Sequence, residues 1–354
     1  MDDLDRRLLN LIQDAVPLVR EPFAELAARL GCEERRVLGR VSALREDGVI
    51  REISGIFDAG RLGYEQALVA MRVPPDRLEQ AGRLAAAHPG VSHCYGREAD
   101  VNLWLTLAVS PRSRLGLGPT AKLLASRCGA AAPMVLPTLR RYKLRVRFDV
   151  AGERPAAGAP RDAEPEGAAG PPAAKHAPPL DDEQLRAIRG LQADLPCCRD
   201  PFAQLAAEQG LHADMLLVHA ADFLAAGWLR RYAAVLHHRA AGAAANVLVA
   251  WAAGEADADA AGRRCAELPA VSHCYLRPAA PGWPYNLYTM VHGRSREDCR
   301  LTIEEILGTT SLVRHVELWT AREFKKQRVG LFTGEEAAWE QNAAGPDRTS
   351  PEDG

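Results

Sequence analysis

The sequence is poor in the features that mark several large classes of protein. Only 6% of its 354 residues are aromatic, and its formal charge of -2 provides no cationic excess for a nucleic-acid partner. Its apolar stretches are shorter than the roughly 20 residues that a membrane-spanning helix needs. No basic and apolar leader precedes Leu4, so nothing suggests export. We therefore expect a cytoplasmic protein that does not enter a membrane.

The eight cysteines form no C-x-x-C pair, the spacing typical of zinc sites and redox motifs. Their nearest approach is the adjacent pair Cys197 and Cys198, which has poor geometry for two metal ligands or an ordinary disulfide. Reduced thiols are the simplest interpretation. The sequence also lacks a glycine-rich nucleotide-binding loop. We expect neither a metal centre nor an organic cofactor.

An internal repeat organises what the chain does contain. The segment REPFAELAARLG at 20–31 returns as RDPFAQLAAEQG at 199–210. The segment GVIREISGIFDAGRLG at 48–63 returns as GWLRRYAAVLHHRAAG at 227–242. Because the two segments recur in the same order and at the same offset, the chain contains two full copies of one domain pair.

Each copy shows the same order of predicted elements. Three helices and a strand ribbon give the pattern of a winged helix-turn-helix, and the β-α-β-β-α-β order that follows is ferredoxin-like. The predicted fold class is α+β, with two tandem copies of a winged helix-turn-helix plus a ferredoxin-like (βαββαβ) domain. The predicted boundaries are 1–60 and 61–150 for copy one, 151–179 for a flexible Pro/Ala/Gly-rich linker, 180–240 and 241–332 for copy two, and 333–354 for a disordered tail.

The third helix of a winged helix-turn-helix normally reads DNA. In copy one this helix offers four arginines for phosphates or base edges, namely Arg35, Arg36, Arg40 and Arg45. Its counterpart at 212–227 contains no Lys or Arg and two aspartates, so it forfeits the main source of affinity for a duplex. The sequence favours scaffold helices here, and DNA binding remains the alternative.

The stretch VSHCYLRPAAPGWPYNLYTMVHG at 271–293 concentrates rings in a chain that has few of them. Strand alternation places His273 and Tyr275 on one face and Ser272 with Cys274 on the other. In the next strand, the residues predicted to share a face are Asn286, Tyr288, Met290 and His292. Such a surface suits a flat apolar ring system that also needs proton donors, with Arg277 and Trp283 supplied by the intervening loop. The alternative is a set of aromatic strand formers around a buried histidine.

A second cluster distinguishes copy two from copy one. Where copy one has Asp58, Ala59 and Gly60, copy two has His237, His238 and Arg239, with Arg230 and Arg231 just before them. Arginines beside histidines suit a ligand that carries several carboxylates and exchanges protons. A solvated basic loop is the alternative interpretation.

The arrangement of winged helix and ferredoxin-like domain resembles the Lrp/AsnC regulators. The strings LRRYAAVLHHR, VSHCYLRP…GWPYNLYTMVHG and TAREFKK in copy two, with GVIREISGIFD and PTLRRYKL in copy one, resemble siroheme decarboxylases. This family occurs as paired homologous subunits or as fusions. It serves heme d1 synthesis in denitrifying organisms or the siroheme-dependent route to heme. The resemblance implies conversion of siroheme to 12,18-didecarboxysiroheme, with loss of carbon dioxide from two acetate side chains.

This resemblance assigns expected roles to the residues of copy two. The expected carboxylate clamp consists of Arg230, Arg231, Arg239 and Arg277, with Lys325 and Lys326 as weaker candidates. The expected proton donors are His237 and His273, followed by His238 and His292, and any of the four is also a candidate ligand of the substrate iron. The remaining substrate-binding candidates are Tyr275, Trp283, Tyr285, Asn286 and Tyr288.

The expected partners are siroheme as the substrate and copy one as the pseudo-dimer partner of copy two. Further copies of the chain or homologous decarboxylase subunits are also candidate partners, whereas DNA and membranes are not expected. Two other functions fit the same fold: a transcriptional regulator of the Lrp/AsnC type, and a protein that senses or carries a tetrapyrrole without altering it.

Overall fold

The computed structural model describes residues 1–144, 179–236 and 245–344. These residues form two compact units, each built from both copies. The first unit holds residues 1–62 and 179–236, and the second holds 63–143 and 245–344. The predicted linker, except for residue 179, lies outside the described residues. Within them, no helix combines the length and the apolar character that crossing a membrane requires.

The helices and strands follow the predicted order in both copies. In copy one they are α1 (Asp3–Asp14), α2 (Pro22–Leu30), α3 (Glu34–Glu46), β1 (Ile50–Phe57), β2 (Glu65–Met71), α4 (Leu78–Ala86), β3 (Val91–Arg97), β4 (Leu103–Val109), α5 (Leu117–Arg127), β5 (Met134–Pro137) and β6 (Arg140–Leu144). In copy two they are α6 (Asp182–Gln192), α7 (Pro201–Glu208), α8 (Ala213–Ala225), β7 (Leu229–Leu236), β8 (Ala245–Ala252), α9 (Ala258–Glu267), β9 (Val271–Leu276), β10 (Leu287–Gly293), α10 (Arg296–Thr309) and β11 (Arg314–Lys326), followed by α11 (Glu335–Ala344).

Local chemistry explains where the first helices begin and end. The side chain of Asp2 accepts the backbone N–H of Asp5, and the Asp5 side chain accepts the N–H of Asp2, so a reciprocal capping box starts α1. Asp181 forms the same kind of box at the start of α6. Helix α2 begins at Pro22 and ends at Gly31, whose φ of 69° suits glycine, as the sequence predicts.

The strand ribbon of the first unit combines one strand from each copy. Strand β1 pairs with β7 in antiparallel register, with Ser54 opposite Ala233. The expectation that each copy has its own ribbon is therefore corrected. Each copy supplies a single strand here, whose backbone groups need a partner, and the equivalent strand of the other copy satisfies them.

The second unit contains a nine-stranded sheet within the described residues, in the order β5-β2-β4-β3-β11-β8-β10-β9-β6. Each half keeps the strand order of a ferredoxin-like domain. The first part of the long strand β11 pairs with β8 of its own copy, and its last part pairs with β3 of copy one. Strand β5 likewise pairs with β2, whereas β6 lies beside β9 of copy two. The two copies thus form an intramolecular pseudo-dimer, as predicted.

Two equivalent contacts connect the last strand of each copy with a helix of the other copy. The ring of Phe324 in β11 packs on Gly82 in α4, where an added Cβ would lie 2.3 Å from the ring. The ring of Tyr142 in β6 packs on Gly262 in α9 at the same 2.3 Å. Since any larger side chain at either glycine would displace the ring, these positions keep the last strand of each copy close to the other copy.

Three apolar clusters stabilise the second unit. One lies between α4, α5 and the strands of copy one, and its counterpart lies between α9, α10 and the strands of copy two. The third belongs to both copies, because Trp104 of copy one packs there with Trp283 and Tyr288 of copy two. Ring centroids are 5.5 Å apart for Trp104 and Trp283. The pseudo-dimer therefore has a core of its own.

The predicted disordered tail is wrong for residues 335–344. These residues form α11, and Trp339 packs on the core of copy one with its ring centroid 4.2 Å from that of His88. The carboxylate of Glu336 accepts the backbone N–H of Ser110 at 3.1 Å. Low hydrophobicity suggested a disordered segment. The helix is ordered by Trp339 and by the carboxylates of Glu336 and Glu340, which accept hydrogen bonds from copy one. Residues 345–354 lie outside the described part of the chain.

Candidate functional site

Both VSHCY segments contain a β-bulge at the serine. In β9, His273 lies opposite Met290 and Val271 lies opposite Val291, so Ser272 is an extra residue between two successive pairs. Val271 and Cys274 are both completely buried in the apolar cluster between the sheet of copy two and helices α9 and α10, which is the helix-side core of this copy. In a regular strand, residues three positions apart would face opposite sides. The bulge therefore excludes both Ser272 and His273 from this core.

The bulge brings Ser272 between two of the predicted histidines. Its Oγ lies 2.7 Å from Nδ1 of His273 and 2.7 Å from Nε2 of His292. The sequence-based assignment of Ser272 to the face opposite His273 is therefore wrong, because strict alternation does not allow for a bulge. The structure thus joins His273 and His292 through a hydroxyl that sequence reasoning did not select.

Copy one has only part of this arrangement. The Oγ of Ser92 lies 3.0 Å from Nδ1 of His93, across an equivalent bulge. Ala108 stands where copy two has His292, since the backbone N–H of each donates to the carbonyl just before its VSHCY segment. Copy one therefore keeps the serine and the first histidine, with an alanine at the position of the second ring. The hydroxyl-bridged pair belongs to copy two.

Arg277, which is predicted to belong to the carboxylate clamp, makes its described contacts at the junction between the two copies. Its Nη1 donates to the carbonyl of Leu136 in copy one at 2.6 Å, and its guanidinium lies over the rings of Tyr275 and Tyr288. Burial lowers the pKa of Arg277. Arg97 repeats this contact in copy one by donating to the carbonyl of Leu318 at 3.1 Å. Because both copies contain the contact, we assign Arg277 to the junction between copies.

The structure uses the amide of Asn286 to connect two strands. Its Oδ1 accepts the N–H of Ala253 at 2.8 Å, and its Nδ2 donates to the carbonyl of the same residue at 3.0 Å. Asn102 makes the same two bonds with Val73 in copy one. Asn286 therefore bridges backbone groups in copy two, and its contact with substrate stays a prediction.

Trp283, Tyr285 and Tyr288 form a packed aromatic group and not an open stacking surface. The indole N–H of Trp283 donates to the hydroxyl of Tyr288 at 2.8 Å, and that hydroxyl donates to the carbonyl of Tyr285 at 3.2 Å. Burial raises the pKa of Tyr288 to about 12. Trp283 and Tyr288 are buried in the core that both copies share. Both rings therefore contribute to packing, and their role in substrate binding stays a prediction.

Tyr275 keeps a position beside the histidine pair. It lies opposite Tyr288 across the strands, is partly exposed, and has its ring centroid 6.1 Å from that of His273. The candidate site thus consists of Ser272, His273, Tyr275 and His292.

The chain matches known protein families and characterised relatives. The family model for the siroheme decarboxylase NirDL-like HTH domain matches residues 5–51, and that for the AsnC-like ligand-binding domain matches 61–143 and 240–325. The siroheme decarboxylase of Hydrogenobacter thermophilus is 36% identical over 94% of this chain and 96% of its own. The siroheme decarboxylase NirDL subunit of Paracoccus denitrificans is 32% identical over 92% and 97%. The chain belongs to the siroheme decarboxylase family.

The solved structures agree with this membership. The crystal structure of the siroheme decarboxylase NirDL matches with a TM-score of 0.78 and 32% identity, and covers 97% of this chain and 98% of that one. A second structure of NirDL, in co-complex with an iron-uroporphyrin III analogue, matches with a TM-score of 0.78 and 31% identity. The fused two-copy architecture predicted from the internal repeat is thus a form that this family adopts.

The two lysines predicted as weaker clamp residues differ in their surroundings. The ammonium of Lys325 donates to the carbonyl of His88 at 3.0 Å, and burial lowers its pKa. Lys143 makes the same contact with Leu268 in the other half. Lys325 therefore joins the copies, and its role in the clamp stays a prediction. Lys326 is exposed and lies opposite His93 in the strand register.

The predicted basic cluster is only partly described. Arg230 donates to the carboxylate of Asp58 at 2.8 Å in the first unit. Burial would raise the pKa of Asp58, but the hydrogen bond and charge of Arg230 outweigh burial and lower it. Arg231 lies in β7 opposite Ile56. The rest of the predicted cluster, His237, His238 and Arg239, lies outside the described residues.

The helices that would read DNA are poorly equipped for it in both copies. In α3, Arg40 is bonded to Asp5, and Arg45 is bonded to Asp194 at 2.8 Å, which leaves Arg35 and Arg36 as its exposed arginines. In α8, the exposed side chains include the apolar residues Met215, Val218 and Leu224. Within the described residues, the two helix-turn-helix domains of this chain thus lack the cationic face that duplex binding requires.

The described residues also offer no ready metal centre. They contain no group of three or more His, Cys, Asp or Glu side chains that could hold an ion.

Proposed function

We propose that this chain is a siroheme decarboxylase that converts siroheme to 12,18-didecarboxysiroheme. The observation that carries the proposal is the pair His273 and His292, joined through Ser272 in a member of this family. Such a pair supplies titratable groups beside one another, which a reaction that consumes protons requires. The pathway we propose is heme d1 synthesis, with the siroheme-dependent route to heme as the alternative.

The reaction needs one proton for each carboxylate that leaves. When an acetate side chain loses carbon dioxide, the electron pair of the broken carbon–carbon bond stays on the substrate, where the macrocycle delocalises it. A proton must then reach the new methyl carbon. We assign this donation to His273, which adjoins the partly exposed ring of Tyr275. The macrocycle already provides the electron sink, so the proposed reaction uses no separate cofactor.

The carboxylates that remain on the substrate require cations. Arg277 and Lys325 are bonded to backbone carbonyls at the junction of the copies, and we exclude them from the proposed clamp. Arg230, Arg231 and Arg239 remain candidates for the clamp on the sequence pattern alone, and His237 and His238 remain candidate proton donors. Arginine suits this task, because its planar guanidinium binds a carboxylate through two parallel hydrogen bonds.

The deciding experiment is anaerobic incubation of the full chain with siroheme, followed by mass spectrometry of the pigment. Loss of two carbon dioxide units supports the proposal. A pigment that stays bound but unchanged would favour a tetrapyrrole carrier or sensor. High-affinity binding to a specific duplex without any change in pigment mass would favour a transcriptional regulator.

A further inference from the structure

We infer that Ser272 is a proton relay between His292 and His273, and that this relay is what makes copy two the catalytic half. The inference rests on the decarboxylase function proposed above. Its basis is the position of one hydroxyl at 2.7 Å from a nitrogen of each ring. Both distances match the usual length of hydrogen bonds that involve a hydroxyl.

A serine hydroxyl has one hydrogen and can also accept, so it couples the protonation of its two neighbours. If Ser272 donates to Nδ1 of His273, it must accept from Nε2 of His292. In this arrangement, the proton of His273 is on Nε2, the nitrogen that Ser272 does not contact. The carbonyl of Met290 is another acceptor for Ser272, but at 3.4 Å it is more distant than either ring. The short contacts therefore favour the two histidines.

The transfers of protons and of the electron pair balance for one decarboxylation. The C–C bond to the carboxylate breaks, and its electron pair takes the Nε2 proton of His273 to form the methyl C–H bond. The hydroxyl proton of Ser272 moves to Nδ1 of His273, and the Nε2 proton of His292 moves to the oxygen of Ser272. His292 changes from imidazolium to neutral imidazole, whereas Ser272 and His273 end uncharged.

Before the second decarboxylation, His292 must be protonated again. A solvent proton that binds Nε2 of His273 sends the Nδ1 proton back through Ser272 to His292, which restores the starting state. Both histidines are partly exposed, so solvent can reach them. The bulge is essential, because it places Ser272 outside the helix-side core, where its hydroxyl contacts both rings.

Copy one provides a matched control. Ser92 contacts His93 in an equivalent bulge, but Ala108 stands where copy two has His292, so the described residues of copy one do not repeat the hydroxyl-bridged pair. Removing the hydroxyl should therefore affect turnover in copy two and not in copy one.

The test compares Ser272→Ala, Ser272→Thr, His292→Ala and Ser92→Ala in the full chain, by single-turnover formation of didecarboxylated product under anaerobic conditions. We expect Ser272→Ala and His292→Ala each to slow the reaction about tenfold to a hundredfold, at the lower end of general acid–base effects. Combining them should slow it no further, because both remove one relay. Ser272→Thr keeps a hydroxyl and should recover most of the rate, and Ser92→Ala should stay within about twofold of the parent.

Rescue by threonine separates a relay from a merely structural serine. Thermal unfolding of each variant confirms that the rates compare folded proteins. The inference is overturned if Ser272→Ala turns over at the parent rate, if Ser272→Thr is as slow as Ser272→Ala, or if Ser92→Ala is equally slow. A parent chain that leaves siroheme unchanged is a different result, since it refutes the proposed function itself and the relay with it.

Discussion

Arg277 donates a hydrogen bond of 2.6 Å from Nη1 to the carbonyl oxygen of Leu136, so a cation of copy two is bound to the last part of copy one. Arg97 binds Leu318 in the equivalent way. Burial lowers the pKa of Arg97 to about 10. These paired contacts connect the two copies in the pseudo-dimer. We therefore expect Arg277 and Arg97 to stabilise the folded state.

The first prediction is that Arg277→Ala lowers the free energy of unfolding by about 1 to 3 kcal/mol, because it leaves a buried carbonyl without its donor. Arg97→Ala should cost a similar amount, and chemical denaturation measures both. A clamp role for Arg277 would give another result: weaker binding of siroheme in Arg277→Ala, unchanged stability, and no effect of Arg97→Ala on binding.

The second prediction is that His273→Ala lowers single-turnover decarboxylation by about 10²-fold to 10⁴-fold, the usual range for losing a general acid. His93→Ala is the matched change in copy one and should be much milder, since Ala108 stands where the relay of copy two has His292. Siroheme should stay bound in both variants. A His93 variant slower than the His273 variant would mean that the chemistry belongs to copy one.

The third prediction concerns assembly. A single proteolytic cut within residues 151–178 should leave the two halves associated, because β1 pairs with β7 and β11 pairs with β3. Size-exclusion chromatography of the cut protein should show one species of the parent size until denaturant is added. Separation of the halves in native buffer would contradict the pairing of strands between the two copies.

The fourth prediction is that the chain does not bind duplex DNA with sequence specificity at physiological salt. Helix α8 has no Lys or Arg, and two of the four arginines of α3 are bonded within the first unit. Duplex affinity depends mainly on cations that neutralise phosphates. A footprint on its own promoter at sub-micromolar concentration would refute this.

The fifth prediction concerns pH and the docked helix α11. Burial raises the pKa of Glu336 to about 7, against 4.5 as its ordinary value, and the nearby Glu340 raises it further. The folded state therefore prefers the protonated carboxyl. Its contribution to stability is complete below about pH 4.5 and is lost as the pH rises through 7.

Glu336→Gln tests this assignment, because the amide oxygen can still accept the N–H of Ser110 but cannot ionise. The free energy of unfolding of the variant minus that of the parent chain should be about 1 to 3 kcal/mol larger at pH 8 than at pH 5. Urea denaturation at the two pH values measures the gain. A constant difference, or a larger one at pH 5, would show that Glu336 does not titrate in this range.

The sequence by itself determined the two-copy plan, the order of helices and strands, and the family. Repeated motifs identify the copies, and the spacing of apolar residues identifies the elements, because both depend on local chemistry. Alternation in β10 was also predictable, since Tyr288 packs on the shared core and Leu287 on the helix-side core of copy two.

Tertiary structure alone decided which polar residues meet. A one-residue bulge moved Ser272 to a position between His273 and His292, and alternation cannot reveal a bulge. The exchange of β6 and β11 between copies gave Arg277 and Lys325 backbone acceptors in copy one. Residues 335–344 form a helix because Trp339 and Glu336 find partners on copy one. The last two outcomes depend on residues far apart in the chain, whose separation in sequence carries no information about their contact in the fold.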